Sequence, residues 1–447
     1  MKHYLDDNPD TLPIILSLEN HCSHPFQEQM AAILNNTLED KLYIPTNNKS
    51  DSPLPSPLEL VGKVVIKGKR PPENDDDDLT TITSESMEEE ENVLADAVTP
   101  VDTKPPQDGG GNILKTSLSG VGAASDKLMS SVHAVSKEVG ADKLMSSMRG
   151  KSDSSPPLPK IVPKLAQVTL MNGVKFKSFS RSIDLPNNDM HSFSETKILK
   201  VLNKDPANVA LWREYNQRHL TRCYPAGGRV DSSNYNPVVS WHLGNQLVAL
   251  NFQTANDSAM NINDGRFRGG CGYVHKPPNV LSSDGGSITS DNKMILRIKV
   301  LSGSCLPKPY GDSVGEVIDP YVIVRLHDVD KASQSSSKSL TKRPPSGQDD
   351  WLETTTRKTK SIRDNGFSCK WNSEYFEFSV NFASVAMLEF IVMDSDAGFL
   401  DDTMCKAAVP VSSIRTGIRS VVFHDYSSRQ HGPFEMARVL VDVDIKN

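Results

Sequence analysis

In the stretch MDSDAGFLDDT the carboxylates of Asp394, Asp396 and Asp402 follow a D-x-D-x5-D spacing, and IDPYV places Asp319 at the start of a separate β-rich run. Carboxylates converging from neighbouring loops repel one another unless a cation neutralises them. Calcium, a hard cation with oxygen ligands, suits such a set and can bridge it to a lipid phosphate. The plainer alternative is that these are ordinary Asp-rich turns. A further carboxylate, Glu19, closes the apolar run in LPIILSLENHCS, with Asn20, His21 and Cys22 directly after it. A short β-rich run of this kind reads as a strand buried on both faces in a parallel sheet.

The elements that must carry these groups fall into four blocks. After the first strand, PFQEQMAAILNNTLEDKLY sets Phe26, Met30, Ile33 and Leu34 at helical spacing, and VGKVVIKGKR, Val61 to Arg70, reads as a second strand with Lys63, Lys67 and Lys69 alternating against apolar neighbours. From Pro71 the chain turns acidic, and Pro, Gly and Ser continue to about Pro159, a composition that does not order itself. DKLMSS occurs twice inside this block, at Asp126 and Asp142, and is read as a linker duplication. Order returns with QVTLMNGVKFKSF as a strand, with helices broken near Pro206, and with NQLVALNFQT as a buried strand. From Met294 the pattern is all β, in MILRIKVLSG, DPYVIVRLHD, YFEFSV, MLEFIVMDSD and RVLVDVDI, which suggests an antiparallel sandwich interrupted by one long polar loop.

Composition narrows the function classes. A chain of 447 residues with a net charge of -7 is not the basic surface that nucleic acid requires. No apolar run reaches the roughly 18 residues of a membrane-spanning helix, and MKHYLDDNPD lacks the pattern of a secretory signal. The six cysteines lie far apart without CxxC pairing, which favours reduced, buried thiols in a cytosolic protein.

Three separated segments carry one resemblance. LPIILSLENHCS resembles the late X region of eukaryotic phosphoinositide-specific phospholipase C of the delta-like kind. SFSE, RCYPAGGRVDSSNYNP, LVALNFQT and NDGRFRGGCGYVHKP resemble its Y region, and the β-rich tail resembles the C2 domain that follows Y. The resemblance implies an α/β fold, a split TIM-like barrel that is incomplete with its first strands missing, followed by an all-β C2 sandwich. It implies residues 1–70 as the C-terminal part of X, 71–157 as a disordered acidic linker, 158–280 as Y, and 290–447 as C2 with an inserted loop at about 330–358.

Site roles follow from the same resemblance. Glu19 becomes a ligand of the catalytic calcium, and Asp319, Asp394, Asp396 and Asp402 become C2 calcium ligands, with Ser313 at a fifth position and Asp312 one step off. Arg222 and Tyr224 match positions that grip a ring phosphate and stack on the inositol ring, roles that a planar guanidinium fork and a phenol face suit. Ser192 matches a hydroxyl that donates to a ring phosphate. Lys63 matches one of two phosphate-binding lysines and the other falls on Val61, a departure expected to weaken selection for polyphosphorylated headgroups.

The implied reaction is calcium-dependent hydrolysis of phosphatidylinositol 4,5-bisphosphate to diacylglycerol and inositol trisphosphate. The inositol 2-hydroxyl attacks the phosphodiester and water opens the cyclic product, with calcium and two histidines stabilising charge and moving protons. Those histidines and three further calcium ligands precede ILSLENHC in the family, and His3, His21 and His24 do not fall at their positions. The expectation is a truncated or mis-started version of an active enzyme, inactive by itself, or else a non-catalytic calcium- and lipid-binding remnant or scaffold. Its expected partners are phosphoinositide lipids at an anionic membrane surface, reached from the cytoplasm as a peripheral protein. The acidic linker is expected to cover the active site until membrane charge repels it across about a Debye length, near 8 Å.

Overall fold

The computed structural model describes residues 1–45, 53–70, 161–254, 257–281, 294–308, 317–329, 351–395, 401–424 and 432–446. The acidic linker, both DKLMSS copies, Asp312, Ser313, Asp396 and residues 330–350 of the expected insertion lie outside them.

Six strands form one parallel sheet in chain order: β1 (Ile14–Ser17), β2 (Val64–Gly68), β3 (Thr169–Gly173), β4 (Asp189–Ser194), β5 (Thr221–Tyr224) and β6 (Leu247–Val248). Nine helices accompany them among the described residues: α1 (Lys2–Asp7), α2 (His24–Leu38), α3 (Pro163–Gln167), α4 (Phe179–Ser182), α5 (Glu195–Lys204), α6 (Asn208–Arg218), α7 (Val238–His242), α8 (Ser258–Phe267) and α9 (Pro278–Leu281). Strand followed by crossover helix is the only short route between parallel neighbours. Local chemistry starts and stops the helices. The Ser194 hydroxyl caps α5 by accepting the Lys197 N–H, Asp257 caps α8 by accepting the Met260 N–H, and Pro206 lies in the break between α5 and α6.

The period of two divides the sheet into two faces. Val65 and Met190 turn inward and pack with Leu60, Leu170 and Met171. Their neighbours Val64 and Ile66 turn outward against Ala31 and Leu38 of α2, and Phe193 and Cys223 turn outward against Ile198, Leu202, Trp212 and Tyr215. This is the layering of a TIM-like barrel, here as an open arc of six strands.

The second part is an antiparallel sandwich. One sheet orders β10 (Ser368–Lys370), β7 (Met294–Ser304), β15 (Arg438–Lys446) and β14 (Gly417–Val422), with β11 (Phe376–Val380) also pairing β7. The other orders β13 (Asp402–Pro410), β12 (Met387–Asp394), β8 (Pro320–Val329) and β9 (Leu352–Lys358). Leu296, Ile298 and Val300 of the first sheet face Val322, Val324 and Phe390 of the second.

The sandwich is docked on the arc through a mostly apolar seam. Val238, Trp241, Ile262 and Val280 meet Phe382, Val385, Met387 and Ala408. At Gly265 an added Cβ would collide with the Ala408 carbonyl, so α8 lies backbone-close on β13. Glu389 of β12, 1% exposed, reaches across this seam. It accepts from Ser258 Oγ at 3.0 Å and Asn261 Nδ2 at 2.9 Å on α8, and pairs with Arg325 at 3.3 Å and His327 at 2.9 Å. Burial pushes the Glu389 pKa up, but His327, Asn261 and Arg325 outweigh it and hold the carboxyl below its ordinary range.

Three expectations are corrected. Phe26 and Ile33 of α2 are 60% and 63% exposed, and the buried face instead uses Gln27, Ala31 and Leu38. NQLVALNFQT gives only the two half-buried residues of β6. The stretch WLETTT at the end of the expected loop is structured: Leu352–Lys358 is β9, and Trp351 is 1% exposed among the barrel helices, its indole N–H donating to Asn203 Oδ1 at 2.6 Å. The thiols divide. Burial pushes Cys223 up to about 12 and Cys369 up to about 11, and Cys405 is also buried. Cys22 and Cys271 are exposed and Cys305 is intermediate.

Trp351→Ala should therefore cost about 3–5 kcal/mol, the range for emptying an aromatic core site. Urea unfolding measures the loss, and hydrogen exchange should locate it at α5 and α6 of the barrel, although the residue belongs to the sandwich segment.

Candidate functional site

Because all six strands run the same way, their C-terminal ends share one rim. Register fixes who meets there. Ser17 lies opposite Lys67, Ser192 opposite Arg222, and Ser194 opposite Tyr224. Alternation then selects the inward side chains. Lys67 is two residues beyond inward Val65, Ser192 two beyond inward Met190, and Arg222 and Tyr224 flank outward Cys223. Glu19 leaves β1 at the same rim, where the Leu18 N–H donates to the Lys67 carbonyl at 2.8 Å.

The rim is electrostatically loaded. The Arg222 guanidinium lies 4.8 Å from the centre of the Tyr224 ring, a cation–π contact that braces both side chains. Lys67 is tucked beside β3, where a Cβ at Gly173 would meet its Cε and Nζ at 3.6 Å. The Lys67 pKa is lowered to about 8, chiefly by burial and then by the cations of Arg222 and Lys69, with Glu19 opposing them. Ser192 Oγ is buried and has no hydrogen-bond partner among the described residues. A buried donor in that state costs about 1–3 kcal/mol, and an acceptor brought by a ligand would remove the cost.

Not every expected residue arrives. Lys63 precedes β2 and donates to the Asp40 carbonyl at 2.6 Å. Four residues of strand at about 3.3 Å each put it roughly 13 Å from Lys67, at the other rim. Val61, in the turn before β2, lies at that far rim too, so its identity removes no cation from the site. The lysine that the fold brings to Arg222 is Lys67. Its signal was present in the sequence, since VVIKGK ends its apolar run on Lys67 whereas Lys63 comes before the run.

Glu19 fits calcium poorly by itself. Its carboxylate is 85% exposed and pairs with His21 at 3.1 Å. Among the described residues no three acidic, histidine or cysteine side chains form a set that could hold a metal ion, and calcium takes about six to eight oxygens. No step is derived through calcium at this rim. In the sandwich, the Asp319 N–H donates to Asp394 Oδ1 at 2.7 Å, Asp319 Oδ1 accepts the Asp364 N–H at 2.7 Å, and Asp394 pairs in register with Asp402. Asp319, Asp394 and Asp402 thus share one end of the sandwich. By themselves they do not form a metal-holding set among the described residues, and Asp396 lies outside those residues.

Fold and rim together define a TIM-like barrel segment with a cationic C-terminal rim, coupled to a C2-type sandwich. Comparison with known proteins agrees. Residues 1–70 match the X domain and 165–279 the Y domain of phosphatidylinositol-specific phospholipase C, and 294–345 and 351–425 match the C2 domain. The rat 1-phosphatidylinositol 4,5-bisphosphate phosphodiesterase delta-1 is 31% identical over 435 residues, covering 94% of this chain and 48% of that protein. The human inactive phospholipase C-like protein 2 is 30% identical over 429 residues, covering 92% of this chain and 31% of that protein. The crystal structure of S. officinalis PLC21 matches 98% of this chain and 45% of its own with a TM-score of 0.65 at 24% identity, a likeness of fold. The chain belongs to the phosphatidylinositol-specific phospholipase C family, and spans about a third to a half of the length of these relatives.

Since Lys67 is expected to lose its proton near pH 8 in the ligand-free site, affinity for an anionic ligand should fall as pH rises from 7 through about 8–9. Titrating inositol trisphosphate against the protein across that range measures the fall. Lys67→Arg, whose guanidinium keeps its charge, should flatten it.

Proposed function

We propose that this chain supplies the headgroup-binding wall of a phosphoinositide phospholipase C and engages phosphorylated inositol lipids at an anionic membrane surface. The observation that carries this reading is the buried Ser192 hydroxyl, without a hydrogen-bond partner among the described residues, across the register from Arg222, whose guanidinium contacts Tyr224 and whose charge acts on Lys67. The Arg222 charge lowers the proton affinity of Lys67, and an anion of more than one charge would stabilise both cations together. A polyphosphorylated ring supplies that charge, acceptors for a hydroxyl and a forked guanidinium, and a C–H face for the phenol.

For the whole protein we infer calcium-dependent hydrolysis of phosphatidylinositol 4,5-bisphosphate to diacylglycerol and inositol trisphosphate, the substrate named in the delta-1 relatives. Among the residues of this rim, Lys67, Arg222 and Ser192 hold and orient the headgroup, and Tyr224 covers its ring. Calcium, when bound, would supply charge neutralisation at the reacting phosphodiester, with Glu19 as one candidate ligand. This chain by itself is inferred not to turn lipid over. A non-catalytic lipid-binding role is the second reading, supported by the comparable identity to inactive phospholipase C-like proteins. Calcium held near Asp319, Asp394, Asp396 and Asp402 is proposed to dock the sandwich on anionic lipid, and the acidic linker to act as a charge-operated cover.

Arg222→Ala should weaken inositol trisphosphate binding by at least about tenfold, as expected for losing a charged bidentate contact. Calorimetric titration checks this, and equal affinity in wild type and variant would remove the headgroup reading. Turnover of phosphatidylinositol 4,5-bisphosphate vesicles by this chain alone would contradict the inferred inactivity. Sedimentation with phosphatidylserine vesicles should require calcium and be lost in Asp394→Asn. Vesicle binding indifferent to chelator would rule out the calcium-docked sandwich.

A further inference from the structure

The block RCYPAGGRVDSSNYNP is far longer than Arg222 and Tyr224 require. Its remainder forms the loop from β5 to α7, and that loop is fastened at both ends. At its start, Glu195 Oε1 accepts the Ala226 N–H at 3.0 Å, two residues beyond Tyr224. The same carboxylate receives the Arg229 guanidinium side-on, Nε to Oε1 and Nη2 to Oε2, the latter at 2.7 Å. Arg229 Nη1 then donates to Ser233 Oγ at 3.1 Å. Further along, Asn234 and Asn251 exchange hydrogen bonds of 3.1 and 2.6 Å, and the α8 cap Asp257 accepts the Asn234 N–H at 3.2 Å.

Glu195 is the first residue of α5, where an acid commonly serves only to complement the helix dipole. Here, among the described residues, its hydrogen bonds go to Ala226 and Arg229 of the β5–α7 loop and none to its own helix. The pair is sheltered, with side-chain exposures of 14% for Glu195 and 29% for Arg229, so solvent screens it less than a surface ion pair. Glu195 also lies three residues past Ser192 and directly after Ser194, whose register partner is Tyr224. One carboxylate therefore ties the strand bearing Ser192 to the chain leaving Tyr224.

We propose that Glu195 and Arg229 are positioning residues for the headgroup cradle, their two-pronged ion pair fixing the exit from β5 and with it the pose of Tyr224 towards a phosphorylated inositol ring. The inference rests on the headgroup reading above. It assigns a task to residues of the motif that touch no ligand themselves.

The test uses the full chain and inositol 1,4,5-trisphosphate as probe, with hydrogen exchange of the 224–234 segment recorded alongside. Glu195→Gln, which keeps an oxygen for the Ala226 N–H but removes the charge, should lower affinity about tenfold, the scale of one charge-assisted contact. Exchange of the segment should quicken while the unfolding transition stays cooperative. Glu195→Ala should lose more, because it also abandons the Ala226 N–H. In a Tyr224→Ala background, Glu195→Gln should change affinity less than about twofold, since two residues acting through one contact are not additive. Full loss in both backgrounds would mark Glu195 as a general structural support and overturn the proposal. So would unchanged affinity in Glu195→Gln while Arg222→Ala abolishes binding, a result that leaves the headgroup reading intact. Absence of binding in wild type would overturn both.

Discussion

Parallel pairing is the constraint from which the site follows. Strands that all run one way must finish at one rim, and a fixed register then decides which side chains share it. The pairings Ser17–Lys67 and Ser192–Arg222 bring together a serine and two cations from three strands, with Glu19 leaving the fourth beside them. A slip of one residue in any of these strands would send its functional side chain into the helix layer, where Phe193 and Cys223 sit, and send an apolar one into the cradle. The hydrophobic pattern thus protects the chemistry indirectly. Phe193 between Ser192 and Ser194, and Cys223 between Arg222 and Tyr224, hold their neighbours inward by being buried outward.

The sandwich adds a second constraint. Its seam with the barrel is mostly apolar, which gives adhesion but little direction. Glu389 supplies direction. A carboxylate at 1% exposure with four partners is costly to bury and is tolerated only where each partner is in place. Two of those partners, Ser258 and Asn261, belong to α8, whose cap Asp257 in turn holds Asn234 of the loop after β5. Trp351 makes a second anchor, among α5 and α6 residues. Two anchors prevent rotation about a single contact, so the end of the sandwich bearing Asp319 and Asp394 keeps a set orientation relative to the rim.

Much of this was legible in the sequence, and the misses have physical causes. The parallel strands, the two-helix segment broken at Pro206, and most sandwich strands follow from apolar runs and period. Lys63 was misplaced because strand direction, rather than alternation, decides which lysine reaches the working rim. Phe26 and Ile33 satisfy helical spacing, yet α2 turns Ala31 and Leu38 inward against Val64 and Ile66. Trp351 sits at the end of a polar stretch and has no neighbours to give it a period. Its burial is a tertiary event between segments nearly 150 residues apart, and no local pattern carries that information. Glu195 stood in plain view as the fourth letter of SFSE, but its partner Arg229 lies 34 residues on.

Under the proposed headgroup function, the electrostatics of the rim would give it selectivity. Arg222 disfavours the charge of Lys67, and Ser192 Oγ is buried with nothing to bond among the described residues. A neutral sugar would satisfy the hydroxyl but leave the repulsion. A single inorganic phosphate would ease the repulsion but present no ring to Tyr224. A phosphorylated ring relieves all of these at once, and the relief is collected only if the groups are already in place when it arrives, because ordering them at that moment would consume part of the gain. Rigid strands hold Lys67, Ser192 and Arg222. Tyr224 ends its strand and borders a loop, so it is the one member whose placement depends on interactions outside the sheet.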